Sequence, residues 1–255
     1  PAIINSFTDT QIITTAPLLA ETGPITITHA LLSDSSPNSF LILDRYWIGG
    51  SGNWNNISHW STSSGGPSGA EIPTSASNVT FDENSFTTDS QTVSLSGDCY
   101  CKTFNCLSIS NLATFDFISS TYLNVYENIT ISPSASFTYP TMTNNDIIYK
   151  TFTFGIRIVR SCNITSNGVK LPPVTTSSSI ILQDDITCEN LLISGSLNSQ
   201  GYKINSRGVT FQPLLSEIFI DINNSNISCY IFQIDDTNDK LTGNLLANIT
   251  IEEQT

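Results

Sequence analysis

The chain has 255 residues and a net charge of −13, with nine Lys and Arg residues against 22 Asp and Glu residues. Only 12% of the residues are charged, whereas an ordinary soluble domain has about 25%. Nucleic acid and anionic membrane surfaces would repel such a chain, and no apolar run reaches the roughly 18 residues that a membrane span needs. We therefore expect no nucleic-acid partner and no membrane insertion. The chain begins with Pro1, and we expect it to be a processed protein or a piece of a longer one.

Residues 1–44 contain short apolar segments separated by prolines and polar turns, which predicts an N-terminal strand-rich arm or a small β-layer. These segments have too few apolar residues to form a core of their own. We expect them to pack against another subunit or another structural protein, with strand addition at an exposed sheet edge as the favoured mode. The alternative is that they fold back on the body of the same chain. The candidate assembly residues are Ile12, Ile13, Ile25, Ile27, Leu41 and Leu43.

Residues 45–90 form an aromatic and glycine-rich segment that holds Trp47, Trp54 and Trp60, the three tryptophans of the chain, and His59, one of its two histidines. Large aromatic side chains can close the open end of a repetitive β-structure. We favour such a cap, with Trp54 and Trp60 buried, over the alternative of an exposed aromatic platform that contacts glycans. His59 is expected to be a structural hydrogen-bonding residue, because one further histidine is too little for a metal site.

Residues 91–255 alternate apolar with Ser, Thr and Asn residues in short runs, and no helical periodicity extends beyond a few turns. The tripeptide (Asn/Asp)-Ile-(Thr/Ser) recurs at positions 128, 163, 185, 226 and 248. Three of its four spacings fit one or two units of about 21 residues, which is typical of stacked repeats. The sequence therefore predicts an all-β fold, over about 40% strand, with a β-solenoid body; a β-sandwich is the alternative.

The remaining polar patterns are weak signals for chemistry. The six cysteines lack the paired CxxC spacing of a zinc site and are expected to be mostly reduced. The acid pairs Asp82/Glu83, Asp184/Asp185 and Asp235/Asp236 could bind Ca²⁺, but surface turns are the favoured interpretation. Seven Asn-x-Ser/Thr sequons match what the composition alone produces. We identify no catalytic, cofactor-binding or metal-binding residue.

One stretch carries a specific resemblance. Residues 46–54 read YWIGGSGNW, residues 58–61 read SHWS, and residues 81–86 read FDENSF. These motifs resemble an uncharacterised W-x-G-G-x-G-N-W β-rich module of tailed-phage and other viral structural proteins, also seen in large bacterial surface proteins of adhesin type. The resemblance covers about residues 45–250. It implies a β-rich structural module at a virion or cell surface, and it brings no catalytic residues.

From these observations we expect a non-enzymatic virion-surface structural protein, serving as a decoration, fibre or host-attachment module of a phage or large virus. Its partners would be copies of itself or other structural proteins of a particle. The alternative is a bacterial surface adhesin or extracellular filament module that binds cell-surface glycans. A polysaccharide depolymerase is the third possibility, with acidic and basic side chains at Asp184, Asp185, Glu189, Arg157 and Arg160.

Overall fold

The computed structural model describes residues 3–7, 12–15, 23–29, 32–40, 44–118, 121–140, 155–158, 162–176, 178–212, 218–234, 241–244 and 248–251. The protein is all-β, with 53% of its residues in strands, and its body is a parallel β-solenoid of about six turns. Both the predicted fold class and the predicted strand content are confirmed. Within the described ranges the one helical element is a single 3₁₀ turn, Ile57–His59. No helix in them is long and apolar enough to cross a membrane.

The strands divide into an arm and a body. The arm has four strands, β1 (Ile3–Phe7), β2 (Ile12–Thr15), β3 (Gly23–His29) and β4 (Leu32–Phe40). The first part of the body contains β5 (Arg45–Trp47), β6 (Gly52–Asn53), β7 (Trp60–Ser61), β8 (Asn78–Thr80), β9 (Gln91–Leu95), β10 (Cys99–Cys101), β11 (Thr103–Cys106), β12 (Ala113–Phe117), β13 (Tyr122–Val125), β14 (Ile129–Ile131) and β15 (Ala135–Thr138). The second part contains β16 (Gly155–Ile158), β17 (Cys162–Thr165), β18 (Lys170–Leu171), β19 (Val174–Thr176), β20 (Ile180–Leu182), β21 (Ile186–Ile193), β22 (Leu197–Asn198), β23 (Ile204–Phe211), β24 (Ile218–Asp221), β25 (Asn226–Cys229), β26 (Ile231–Ile234), β27 (Leu241–Asn244) and β28 (Asn248–Ile251).

The body has three sheets that run along the solenoid axis. In sheet 1 the strand order is β27-β24-β22-β20-β17-β14-β11-β8-β5-β7, and in sheet 2 it is β15-β12-β9-β6. In sheet 3 the order is β10-β13-β16-β19-β21-β23-β25-β28, with β18 beside β21 and β26 beside β23. Successive strands of each sheet are parallel except β7, which is antiparallel to β5. Parallel pairing between successive turns, here called rungs, distinguishes this architecture from the alternative β-sandwich.

Alternation of polar and apolar residues explains why these segments form solenoid strands. In sheet 1, Val79 stacks on Phe104 and Phe104 on Ile129, and all three side chains are buried. The polar residues on either side of each point outward, because successive side chains of a strand face opposite sides of the sheet. Buried apolar area contributes about 25 cal/mol per Å², so this pattern fixes the register. The Asn-Ile-Thr tripeptides are therefore a polar–apolar–polar strand pattern.

The lengths of the rungs vary more than the sequence repeat suggested. Ile129 pairs with Ile164, 35 positions on, whereas Ile164 pairs with Leu182, only 18 positions on. The repeats at 128 and 163 are thus successive rungs of sheet 1, and those at 226 and 248 are successive rungs of sheet 3. The spacing of 22 between the repeats at 163 and 185 is not a rung, because it passes from sheet 1 to sheet 3. The unit of about 21 residues was wrong at that step.

Sheet 2 ends at β15, and the next rung is organised differently. There β18 lies against β15 but pairs with β21 instead. The long strand β21 pairs with β18 through its first half and with β19 through its second half. Asn190 and Leu191 are both buried, which interrupts the alternation. In the β21 and β23 rungs one long strand thus spans the positions of two shorter strands, and in the next rung β25 and β26 are separate again.

Candidate functional site

The three tryptophans form a buried cap at the N-terminal end of the solenoid. Trp47, Trp54 and Trp60 are each 0% exposed, as predicted for Trp54 and Trp60. The Trp47 indole N–H donates to the carbonyl oxygen of Gly50 at 2.7 Å, and that of Trp60 donates to the carbonyl oxygen of Trp54 at 2.7 Å. The indole N–H of Trp54 has no partner in the described part of the chain. These bonds fix two of the rings, and β7 covers the edge of β5.

The glycines of this segment let the backbone fold closely around the rings. His59 stacks on Trp47 with ring centroids 4.7 Å apart, and its Nδ1 lies 3.0 Å from the carbonyl oxygen of Ile48. A Cβ atom on Gly52 would lie 2.0 Å from Nε2 of His59. Gly49 and Gly50 have φ angles of 79° and 75°, a region that favours glycine. His59 thus has the structural position that the sequence predicted.

Below the cap, an aromatic column continues into the solenoid. Trp60 and Phe81 have ring centroids 6.2 Å apart, and Phe81 meets Phe115 edge-on at 4.8 Å. Edge-to-face pairs of this kind stabilise by about 0.5–1.5 kcal/mol beyond area burial. With no exposed face, the indoles cannot stack on a sugar unless the cap opens. The geometry favours a cap over the glycan platform for these residues.

Four of the six candidate assembly residues lie in two hairpins outside the solenoid sheets. β1 pairs with β2 and β3 pairs with β4, both antiparallel. Ile25 and Ile27 in β3 are 49% and 52% exposed. Ile12 and Ile13 lie in β2, but their side chains are outside the described part, as are Leu41 and Leu43 altogether. The structure therefore gives two exposed isoleucines on one strand of the arm.

Where the acid pairs considered as calcium sites are described, their carboxylates accept hydrogen bonds from backbone N–H groups. Asp82 Oδ1 accepts from the backbone N–H of Asn84 at 3.0 Å. Asp184 accepts from the backbone N–H of Ser166 at 2.9 Å, and Asp185 accepts from that of Lys203 at 2.8 Å. The described residues contain no group of three or more potential metal ligands. The pair Asp235/Asp236 lies outside the described residues. The favoured interpretation, that these acidic residues lie in surface turns, agrees with the contacts of Asp82/Glu83 and Asp184/Asp185.

Sequence reasoning missed a charged cluster on the outer surface of sheet 3. Lys170 Nζ lies 2.7 Å from Glu189 Oε2, and Arg207 lies 3.4 Å from Glu189 Oε1. The Tyr139 hydroxyl donates to Glu189 Oε2 at 3.2 Å. These residues, here the Glu189 cluster, come from successive rungs. Lys170, Glu189 and Arg207 are spaced 19 and 18 residues apart, close to the rung length there, so this signal becomes visible only when the rung length is known.

Charge and burial act against each other within the Glu189 cluster. Burial alone would raise the pKa of Glu189, but the hydrogen bond and charge of Lys170 outweigh it and lower the pKa overall. Burial would lower the pKa of Lys170, but the hydrogen bond from Lys170 to Glu189 and the charge of Tyr139 raise it. Burial and the charge of Glu189 raise the pKa of Tyr139. The three charged groups therefore carry one net positive charge at neutral pH.

Arg157, one of the two arginines considered for catalysis, contacts Tyr122 and Asn124 rather than Glu189. Arg157 stands over the ring of Tyr122, with Cζ 3.8 Å from the ring centroid, and donates to Asn124 Oδ1 at 3.2 Å. Its side chain is exposed, as expected for an outward strand position. Arg160 lies outside the described residues. A cation–π pair at an exposed site stabilises by about 0.5–1 kcal/mol, so Arg157 has a structural role.

No disulfide joins any of the six cysteines, and all are buried: Cys99, Cys101, Cys106, Cys162, Cys188 and Cys229. That the cysteines are mostly reduced in solution stays a prediction. Burial raises the pKa of Cys106, Cys162 and Cys188 to about 12. A thiol is nucleophilic only as thiolate, so these side chains act as small apolar core residues.

Comparison with protein-family models, curated proteins and solved structures found no match to this chain. The assignment of function rests on the cap, the arm and the solenoid themselves, together with the motif resemblance of residues 45–86.

Proposed function

We propose that the protein is a non-enzymatic structural module of a virion surface, used for decoration, fibre formation or host attachment. The supporting observation is the division between a solenoid closed at one end by a buried aromatic cap and an arm whose strands lie outside the solenoid sheets. A solenoid gives a rigid spacer, because each rung is fixed to the next by a continuous ladder of hydrogen bonds. The arm gives such a spacer a means of attachment.

The arm has the features of a segment that is completed by contact. An isolated two-stranded hairpin is marginally stable in water, and strand edges without a partner recruit strands from other chains. In the described residues, neither hairpin has a third strand. Ile25 and Ile27 add apolar surface to the same element. We infer that this surface packs on another subunit or on another structural protein, by strand addition.

Sedimentation velocity of the whole chain and of a chain lacking residues 1–44 tests this role. We expect the whole chain to associate and the truncated chain to remain monomeric with its solenoid intact. The double variant Ile25→Thr/Ile27→Thr should weaken association, whereas the matched variants Ile57→Thr and Ile118→Thr, at isoleucines that are 53% and 46% exposed, should not. If the truncated chain assembles as before and only its stability falls, the arm does not mediate assembly.

Placement on a virion needs a separate experiment. Purified particles from the source of the gene should contain the protein by mass spectrometry, and an antibody against residues 45–255 should label intact particles. Neighbouring capsid and tail genes would agree with this result. Neighbouring secretion-signal domains, with labelling of cell surfaces instead, would favour the adhesin or extracellular filament hypothesis, and a glycan array would then test binding. Release of reducing ends from a polysaccharide panel would favour the depolymerase hypothesis.

A further inference from the structure

A cavity of about 280 Å³ lies in the wall of the solenoid where sheet 2 ends. One side is formed by residues around β15 and the other by the loop before β18. No ladder pairing joins these two strands in the described part of the chain. The longest rung, from Ile129 to Ile164, passes this point. The cavity is thus a gap between two rungs that the rest of the body stacks directly. Its lining is Pro133, Ala135, Ser136, Phe137, Asn167, Gly168, Val169 and Lys170.

The lining combines apolar side chains with a few polar groups. Phe137 and Val169 supply apolar surface, Ser136 and Asn167 are polar, and Lys170 is the one charged residue. Ligand sites are typically concave and mostly apolar, with a few convergent polar groups, and have volumes of about 300–1,000 Å³. This cavity is slightly smaller than that range, which suits one sugar ring rather than an oligosaccharide. Phe137 packs on Phe115 and Phe117, with ring centroids 5.5 and 6.1 Å away, and also lines the cavity, where a sugar ring would stack on it.

The positive charge of Lys170 favours a sugar that carries a carboxylate. Its ammonium group has three N–H donors, which meet Glu189 and Tyr139 and leave one for a ligand. Glu189 is shared with Arg207, so the cluster behind the cavity has one net positive charge in a protein whose net charge is −13. The side chain of Lys170 is 56% exposed although its ammonium group is paired with Glu189. This ammonium group would attract a ligand carboxylate, against the opposing charge of Asp184, which accepts from the backbone N–H of the lining residue Asn167.

We propose that this cavity binds one uronic-acid residue of an acidic polysaccharide, with its carboxylate on Lys170 Nζ and its ring against Phe137. The site goes beyond the structural role proposed above and does not depend on virion placement. It also differs from the tryptophan platform, because the tryptophans are buried in the cap. The Glu189 cluster holds the Lys170 ammonium in place, and the raised pKa of Lys170 keeps it protonated at neutral pH.

Calorimetric titration of the whole chain with short oligomers of galacturonate, glucuronate, mannuronate and guluronate tests the proposal. We expect at least one to bind with a Kd on the order of 1 mM, as a one-ring contact allows. The methyl ester of the same oligomer should bind at least about tenfold more weakly, because it keeps the shape and loses the charge. Equal binding of acid and ester, or no binding by any of the four acids, would overturn the proposal.

Three variants separate the site from a general effect on the fold. Lys170→Gln should weaken binding of the acid about tenfold, and Lys203→Gln, a matched loss of charge at an exposed lysine, should leave it unchanged. Glu189→Gln raises the local charge and should tighten binding about threefold. Weaker binding by Glu189→Gln, or unchanged binding by Lys170→Gln, would contradict the assignment. Unfolding midpoints measured alongside identify any variant that fails to fold.

Discussion

The two ends of the solenoid differ in how well the apolar residues of the terminal rung are buried. At the N-terminal end, Trp47, Trp54 and Trp60 are fully buried, and β7 covers the edge of sheet 1. At the C-terminal end, Ile249 and Ile251 are 42% and 56% exposed, although the rung below them is buried. The comparison shows that stacked rungs bury each other's inner residues, whereas the last rung that the structure describes is covered on one side. Closing an end requires large side chains and a strand that runs against the repeat.

Removal of a cap ring should produce the largest loss. Trp60→Ala is expected to lower the free energy of unfolding by about 3–5 kcal/mol, because a fully buried aromatic side chain is replaced by a cavity. Chemical denaturation at equilibrium measures the change. An unchanged midpoint combined with lost sugar binding would replace the cap with a glycan platform.

A change in the middle of the body should cost less than loss of the cap. A Cβ atom on Gly195 would lie 1.7 Å from the backbone oxygen of Ser178 on the previous rung. Gly195→Ala should therefore force two rungs apart and lower the free energy of unfolding by about 1–3 kcal/mol. The same denaturation experiment tests it. A loss as large as that of Trp60→Ala would mean that the rungs, rather than the cap, limit stability.

The buried thiols predict how stability depends on pH. Burial raises the pKa of Cys106 and Cys188 from an ordinary value of 9.0 to about 12, so the folded chain holds the neutral form. The unfolded chain loses these protons near pH 9. Stability should be complete below pH 9 and fall as the pH rises from 9 towards 12. Denaturation midpoints at pH 7, 9 and 10.5 measure the fall, and Cys188→Ala should reduce it. A fall of the same size in that variant would assign it to other groups.

Thiol labelling compares the two ends directly. Cys106 lies near the cap, and Cys229 lies one rung from the open end, where Ile251 is its register partner. Local opening is easiest where fewer contacts hold the chain. We expect alkylation of Cys229 to be about tenfold faster than that of Cys106 under native conditions, and both to react at once in guanidinium. Mass spectrometry of peptides follows each site. Equal native rates would show that the open end is as firmly held as the cap.

The smallest effect is expected at the open end itself. Ile251→Ala removes a side chain that is already 56% exposed. It should change the free energy of unfolding by less than about 0.5 kcal/mol, as is usual for surface positions. A loss above about 1.5 kcal/mol would indicate that a further segment or subunit covers this end in solution.

Sequence patterns over a few residues predicted the strands of the solenoid but not the register between successive rungs. The Asn-Ile-Thr segments identified strands with one buried face, and the tryptophan and glycine spacing identified the cap. Both depend on residues close in sequence. The cavity at Phe137 and Lys170 depends on where sheet 2 stops, which follows from the long rung between Ile129 and Ile164. The Glu189 cluster likewise needs the local rung length. Side chains from different rungs meet only after register is set, and the varying rung lengths hide that register from a fixed-period search.

The six buried thiols also concern the compartments in which the protein can exist. Because no disulfide joins them, the fold needs no oxidising environment to form. Once the chain is folded, an oxidant outside the cell meets no exposed thiol, because all six are in the core. A protein made in a reducing cytoplasm and later placed outside the cell would keep the same covalent structure throughout. The redox change that accompanies release from a cell would therefore leave this solenoid unaltered.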